Sequence, residues 1–459
     1  MTSADGASAL IARHCRELLA APAFRDDPAL RDDPALRGDP TLRDVVAQCG
    51  QPLRVLLVGS ISTGKSTLLN ALVGRTLAAT AFAETTSTVT WYHAPDLPPP
   101  DLPDPGHRSV ACDFPLARHV LLGDTPGLDS VVHSPRETLR MLGGSDLTGA
   151  AAAFVCVLTG GRIDQWARGI EELAAFSAGP LDAVGNIVVA MSKIDLVSDP
   201  VEEIEEKVRR TTPVPFRFAA VNQLMAATAR TGGVDARVLG ALDALRERPD
   251  VLARPTLSWE RLAEQTSDGL PPGHLDALRR AIGGPAWLPA LVRATAGRTS
   301  AAEVAEVFEE LSRIRTLEAV LADIAADRDL FTATAANLRL HRLAARLPDG
   351  PAALLRARLD AMAGSREFAL LSRRAAGRLI ERSGVDGLDA WEARLAVRLL
   401  RSEAVERSDA SAASARWREH AADPFRDSRF RELAALVVDA AREALSDPRS
   451  DAPRKKEAG

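Results

Sequence analysis

Apolar positions recur at helical spacing near the start of the chain. Leu10, Ile11, His14, Cys15, Leu18 and Leu19 predict an amphipathic helix over about residues 7–21. A period-six repeat then breaks the pattern: Arg25-Asp26-Asp27-Pro28-Ala29-Leu30, Arg31-Asp32-Asp33-Pro34-Ala35-Leu36 and Arg37-Gly38-Asp39-Pro40-Thr41-Leu42. A proline every six residues forbids a continuous helix, and the repeat is too short for a solenoid, so this stretch reads as a flexible linker. From residue 53 to about 230 short apolar runs alternate with helix-like segments, the signature of a parallel α/β sheet. Strands are predicted at Leu53–Val58, Val89–His93, Val110–Phe114, His119–Leu122, Ala152–Leu158, Asn186–Met191 and Phe216–Ala220. The Pro- and Asp-rich segment Ala94–Gly106 reads as a surface excursion between two of them.

Beyond about residue 235 the period becomes helical throughout. Ser300-Ala301-Ala302-Glu303 reads as a capping box, followed by Val304, Val307, Phe308, Leu311 and Ile314 on one face. The stripe resumes at Leu317, Val320, Leu321 and Ile324, and another runs through Phe430, Leu433, Val437, Ala440 and Ala444. Long antiparallel helices in a bundle or stalk account for this half. Arg449–Gly459 is polar and is expected to be disordered.

Composition sharpens the picture in few places. The chain has 459 residues and a formal charge of -5, which gives no reason to expect a polyanion partner. The four cysteines, Cys15, Cys49, Cys112 and Cys156, lack C-x-x-C spacing, so neither a disulfide framework nor a zinc site is expected. No signal peptide is seen at Met1–Asp5, and the apolar run Ala150 to Leu158 is far short of the ~20 residues of a spanning helix. Lysine is rare: only Lys65, Lys193, Lys207, Lys455 and Lys456 occur in a chain that otherwise uses Arg. Two of these five fall in the motifs below, where a compact ammonium and a planar guanidinium are not interchangeable.

Those motifs begin after the first strand. Gly59-Ser60-Ile61-Ser62-Thr63-Gly64-Lys65-Ser66-Thr67 fits G-x-x-x-x-G-K-[ST] and precedes a helical run, the context of a phosphate-binding loop. Its backbone N–H groups and the helix N-terminus would cradle phosphate oxygens. Lys65 would reach the β- and γ-phosphates, and Ser66 would take a Mg²⁺ position. Asp124-Thr125-Pro126-Gly127 follows a buried strand, where a carboxylate holds Mg²⁺ through water and the Gly127 N–H can sense a γ-phosphate. Ser192-Lys193-Ile194-Asp195 follows another strand and matches [NTS]-K-x-D. Asp195 can accept from the N1–H and 2-amino group of guanine, which adenine lacks, while the Lys193 stem lies across the base. The three motifs in this order point to a GTPase. Between the first two, Glu84-Thr85-Thr86-Ser87-Thr88-Val89-Thr90-Trp91-Tyr92 offers several hydroxyls for a switch loop, and Trp91 and Tyr92 read as strand packing. After the third, Ala219-Ala220-Val221-Asn222-Gln223 sits where a backbone N–H, here at Val221, would meet the guanine carbonyl.

On these motifs, on the Thr-rich run and on Ser411-Ala412-Ala413-Ser414-Ala415-Arg416-Trp417 with Asp423-Pro424, the chain resembles the bacterial dynamin-like GTPases. Within them it is most similar to the actinobacterial isoniazid-inducible Ini group. The resemblance implies an α/β P-loop GTPase domain of mostly parallel sheet plus an all-α neck and elongated helical trunk. It divides the chain into an N-terminal neck helix (1–24), an Asp/Pro-rich repeat linker (25–50), the GTPase domain (51–235), a helical neck and trunk whose last helix returns to the neck (236–447) and a disordered tail (448–459). It puts the switch Thr at Thr86, serving catalysis and metal, beside Lys65 and Ser62 as catalytic and Ser66 and Asp124 as metal-binding. It further implies GTP/GDP and Mg²⁺ as ligands and self-association through the GTPase domain or pairing with a related dynamin-like protein. A cytoplasmic location on an anionic inner membrane face is expected, with no nucleic acid partner.

Two departures bear on rate. Ile61 stands where larger dynamins carry a Gln, and Leu128 stands where small Ras-like GTPases carry theirs. Neither can orient a water, and a missing trans-acting group is worth ~10³–10⁵ in rate, so slow basal turnover is expected. The alternatives are an Era-like cytosolic regulator and a weakly catalytic partner subunit. The stretch Leu347–Arg358, a breaker followed by Leu and Arg residues, reads either as a lipid-facing tip or as a plain helix corner.

Overall fold

The computed structural model of the chain describes residues 6–25, 40–59, 63–77, 89–102, 107–125, 151–159, 170–171, 185–197, 200–212, 214, 216–253, 258–266, 271, 273–383, 388–424, 426 and 428–446. Two compact units divide it: Gln51–Ser177 with Asn186–Arg328, and Met1–Gly50 with Ala178–Gly185 and Asp329–Gly459.

The first unit is built on a seven-stranded sheet: β1 Leu53–Val58, β2 Thr90–His93, β3 Arg108–Ala111, β4 Val120–Asp124, β5 Ala153–Thr159, β6 Ile187–Ser192 and β7 Arg217–Val221. Its order is β3-β2-β4-β1-β5-β6-β7. Every neighbouring pair is parallel except β2 with β4, where Thr90 faces Asp124 and Tyr92 faces Leu122. β1 and β6 are buried along their whole length, which is why they read as apolar runs, broken only by Arg54 in β1 and by Ser192 at the end of β6. Trp91 and Tyr92 are packed into the sheet, as the sequence predicted, and burial, with Asp124 nearby, pushes the Tyr92 phenol up to about 12. The mostly parallel sheet and the helical remainder agree with the fold class expected from the motifs.

Strand pattern gives way to helix near residue 235, yet the compact unit continues to Arg328. Helices Gln223–Arg230, Ala236–Arg246, His274–Ile282, Leu288–Ala294 and Ala301–Ser312 enclose a second core around Leu242, Leu278, Leu291 and Phe308. Ser300 caps the last of these in the predicted capping box with Glu303. Polar contacts join these helices to the sheet. Arg217 of β7, 4 % exposed, reaches Asp323 Oδ2 at 2.7 Å. Arg230 donates to Glu318 at 2.5 and 3.0 Å, to Glu309 at 3.0 Å and to Ala71 O at 3.1 Å. Burial disfavours the Arg230 charge, but the two carboxylates outweigh it and raise its pKa, and Arg230 in turn lowers that of Glu309. Breaking a partly buried pair leaves charges that water can compensate only in part. Arg230→Ala should therefore destabilise this unit by about 1.5–3 kcal/mol, the range for hydrogen bonds to charged groups, read as a lower urea midpoint. An unchanged midpoint would mean that the network is solvated and contributes nothing.

The second unit is helical and interleaves distant parts of the chain. Leu10, Ile11, Cys15 and Leu18 of the predicted amphipathic helix, found at Ala7–Ala20, share one core with Leu42, Val45, Leu330, Leu340, Leu355 and Leu371. Asp329 receives the N–H groups of Ala7 and Ser8 at 3.2 and 3.0 Å, and Arg339 pairs with Asp44 at 2.6 Å, both nearly fully buried. Pro40, within the third repeat copy, opens the helix Pro40–Gly50, since proline is tolerated at the first helical position. Residues 26–39 lie outside the described set. A second core joins Trp417, Phe430, Leu433, Val437 and Leu400. Leu347, Ala352 and Leu355 of the proposed tip are buried in the first of these cores. Arg356 donates to Ala344 O at 3.2 Å and Arg358 pairs with Glu17 at 2.9 Å. Of the two readings of this stretch, the helix corner agrees with that packing.

Candidate nucleotide site

Three motif-bearing loops leave the same, C-terminal, edge of the parallel strands, at the place where the strand order turns back across β1. The phosphate loop follows β1 and enters the helix Lys65–Val73. Gly64 has φ +83°, in the left-handed region, and a Cβ there would overlap the Gln223 Nε2. Only glycine meets both conditions without strain. Lys65 is 6 % exposed, and its Nζ donates to Asp124 Oδ1 at the end of β4 and to Thr125 O. Thr125 is in turn anchored through its hydroxyl to Leu57 O at 2.9 Å. The ammonium thus already stands at the end of β4, between the loop and the carboxylate expected to serve the metal.

The guanine-type motif is tied to the same loop. Ser192 Oγ lies 2.6 Å from Thr63 O and 2.8 Å from Leu158 O and shares its proton between them. Lys193 is left-handed, with φ 55°, which turns the chain sharply out of β6. Its N–H donates to Gln223 Oε1 at 2.8 Å. Gln223 therefore touches the motif with its carbonyl and lies over Gly64 with its amide, bracing the two loops against each other. Asp195 is buried, and burial raises its carboxyl pKa, opposed by hydrogen bonds from the Gly284 and Asp195 backbone N–H groups and by the Lys193 charge. Gly284 N–H reaches Asp195 Oδ2 at 2.8 Å. Val221 ends β7 directly opposite Ser192, beside the motif.

Residues 54–192 match the family model described as a 50S ribosome-binding GTPase. The chain carries a P-loop GTPase domain. Fifty residues, 11% of the chain, are 50% identical to the isoniazid-induced protein IniC of Mycobacterium tuberculosis, in strains CDC 1551 / Oshkosh and ATCC 25618 / H37Rv. The chain spans 10% of the length of these curated relatives, and over that stretch its likeness to the Ini group is direct. Solved structures similar to it include an oligomerised bacterial dynamin pair, at 12% identity and TM-score 0.31, covering 96% of this chain and 85% of that one. The LeoA bacterial dynamin GTPase from ETEC is another, at 12% identity and TM-score 0.23, covering 95% and 93%.

Within this GTPase domain, Gly59, Thr63, Gly64, Lys65, Ser66, Thr67, Asp124, Ser192, Lys193, Asp195 and Val221 lie among the described residues. Ser60, Ile61, Ser62, Thr86, Gly127 and Leu128 lie outside them. Ser66 and Asp124 offer hydroxyl and carboxylate oxygens, the hard donors that Mg²⁺ prefers. No cluster of three or more acidic, His or Cys ligands occurs among the described residues. Such a donor set suits an ion that takes its remaining ligands from water and phosphate rather than from a protein cage. The sequence reading placed Gln223 in the stretch after the guanine motif without a role for its side chain, and it missed Gly284 as part of the site. The signal at Gly284 is the consecutive Gly283-Gly284-Pro285, which on its own reads as a turn.

Proposed function

We propose that the GTPase domain binds GTP with Mg²⁺ and hydrolyses it slowly to GDP, and that the helical remainder couples this cycle to self-association and to an anionic membrane surface. The observation that carries the nucleotide reading is the coupling of the two loops. Ser192 holds the Thr63 carbonyl, Gln223 bridges Lys193 and Gly64, and Lys65 stands at Asp124. A phosphate chain and a base could then be gripped by one rigid frame. In this reading Ser66, Asp124 and Thr86 would hold Mg²⁺, which would supply positive charge against the developing negative charge of the phosphates. Lys65 stabilises the developing charge on the transferred group, and Ser62 and Thr86 stand in for the Gln missing at Ile61 and Leu128. The Val221 N–H meets the guanine carbonyl.

The membrane reading rests on the likeness to the Ini proteins. No helix among the described residues is long and apolar enough to cross a bilayer, so contact would be peripheral. A second reading, an Era-like regulator acting on a ribosome, draws on the description of the matched family model. Turnover of GTP by the full chain, with and without anionic liposomes, separates the two. Turnover is expected to be slow alone and to rise several-fold with lipid. Turnover indifferent to lipid favours the regulator, and GTP binding without turnover favours a partner-dependent subunit.

A further inference from the structure

The base-reading carboxylate is held by a part of the chain far from any nucleotide motif. Gly284 N–H donates to Asp195 Oδ2 at 2.8 Å across 89 residues of sequence. A Cβ on Gly283 would overlap that same oxygen, and a Cβ on Gly284 would overlap the Asp195 main-chain carbonyl. Gly283 also has φ +81°, so both glycines are dictated by this approach. The turn is itself anchored, since Trp259 Nε1 donates to Gly283 O at 2.7 Å and Trp287 packs against both cores of the unit.

We propose that Gly284 is a positioning and specificity-determining residue of the guanine site, its N–H fixing the Asp195 carboxylate for the base. This rests on Asp195 reading guanine. A free carboxylate on a buried Cβ can rotate about its terminal torsion. The Gly284 donor on Oδ2, together with the Asp195 N–H that also reaches the carboxylate, sets that torsion and leaves the remaining lone pairs for a purine edge. The same donor makes the site polar in a defined sense. An amide at position 195 must turn its oxygen to Gly284 and its NH₂ toward the base, the polarity that xanthine accepts. The helices Trp259–Thr266 and His274–Ile282 thereby take part in base selection, though no recognised motif lies in them.

The test is calorimetric titration of the full chain with GDP, XDP and ADP. Wild type is expected to prefer GDP to ADP, and Asp195→Asn to move preference to XDP. Gly284→Ala, whose Cβ pushes the turn off Asp195, should weaken GDP about 10- to 100-fold, the loss typical of a hydrogen bond to a buried charge, and leave ADP unchanged. In the Asp195→Asn background the same change should erase the XDP preference, which loss of packing alone would not do. Trp259→Phe removes the anchor without touching Asp195, and should weaken GDP about three- to tenfold by a smaller displacement of the same donor. It decides the matter if Gly284→Ala does not fold. Overturning results are GDP affinity within twofold of wild type in the variant that folds, equal weakening of GDP and ADP, or an XDP preference that survives in the double variant. If Asp195→Asn itself leaves preference unmoved, the base-reading role falls, and this inference with it. A shifted Asp195→Asn beside a silent Gly284→Ala sinks the inference alone.

Discussion

Lys65→Ala is expected to weaken GTP binding and turnover together by about 10²–10³-fold, the effect of deleting one preorganised charge donor from a phosphoryl-transfer site. The ammonium is buried and directed at Asp124, so its position is fixed by the protein itself. Water cannot substitute for a cation in so enclosed a position. Asp124 keeps 16 % side-chain exposure and can be solvated when its partner is lost, so the variant should still fold. Fluorescent-nucleotide titration and steady-state turnover, with a circular dichroism melt as control, read the result. Unchanged turnover in a folded variant would mean that Gly59–Thr67 does not bind phosphate.

Asp195→Asn should invert base preference, with a swing of about 10⁴-fold in the GTP-to-XTP ratio of kcat/KM. The physical cause is that Asp195 is buried, so whichever base leaves it unpaired bears an undiluted desolvation cost. Replacing the carboxylate by an amide exchanges an acceptor for a donor and transfers that cost from xanthine to guanine. Competition between the two triphosphates measures it in one experiment. A variant that loses GTP turnover without gaining XTP turnover would mark Asp195 as structural, held for its contact with Gly284.

Much of the sheet could be read in advance because burial writes itself into composition. β1 runs over Leu53–Val58 as predicted, for every position is buried and all but Arg54 are apolar. The expected strand at Val110–Phe114 starts two residues earlier and ends three earlier, at Arg108–Ala111, where the edge strand is largely exposed and carries no apolar signature. The antiparallel pairing of β2 with β4 left no mark either, since local pattern does not encode direction. Motif residues were legible because phosphate and guanine each demand particular atoms at fixed spacing. The side-chain role of Gln223 and the role of Gly284 were not, because both exist only through partners reached by folding. Gln223 meets Lys193 across 30 residues and Gly284 meets Asp195 across 89. The helical half was read as stripes, and Leu317, Leu321 and Ile324 are indeed buried, but stripes do not say which helix covers which.

The interleaving of the second unit bears on how a ribosome can make this protein. Ser8 and its partner Asp329 are separated by 321 positions. At roughly 5–20 residues per second, that interval lasts roughly 15–60 s. The GTPase unit between them is contiguous enough to fold while the chain is still emerging. The apolar face of Ala7–Ala20 has to wait, already outside the exit tunnel and without the helices from Arg328–Ala344 onward that will cover it. Nascent chains halted before residue 329 should therefore bind a chaperone through their first twenty residues, and full-length chains should release it.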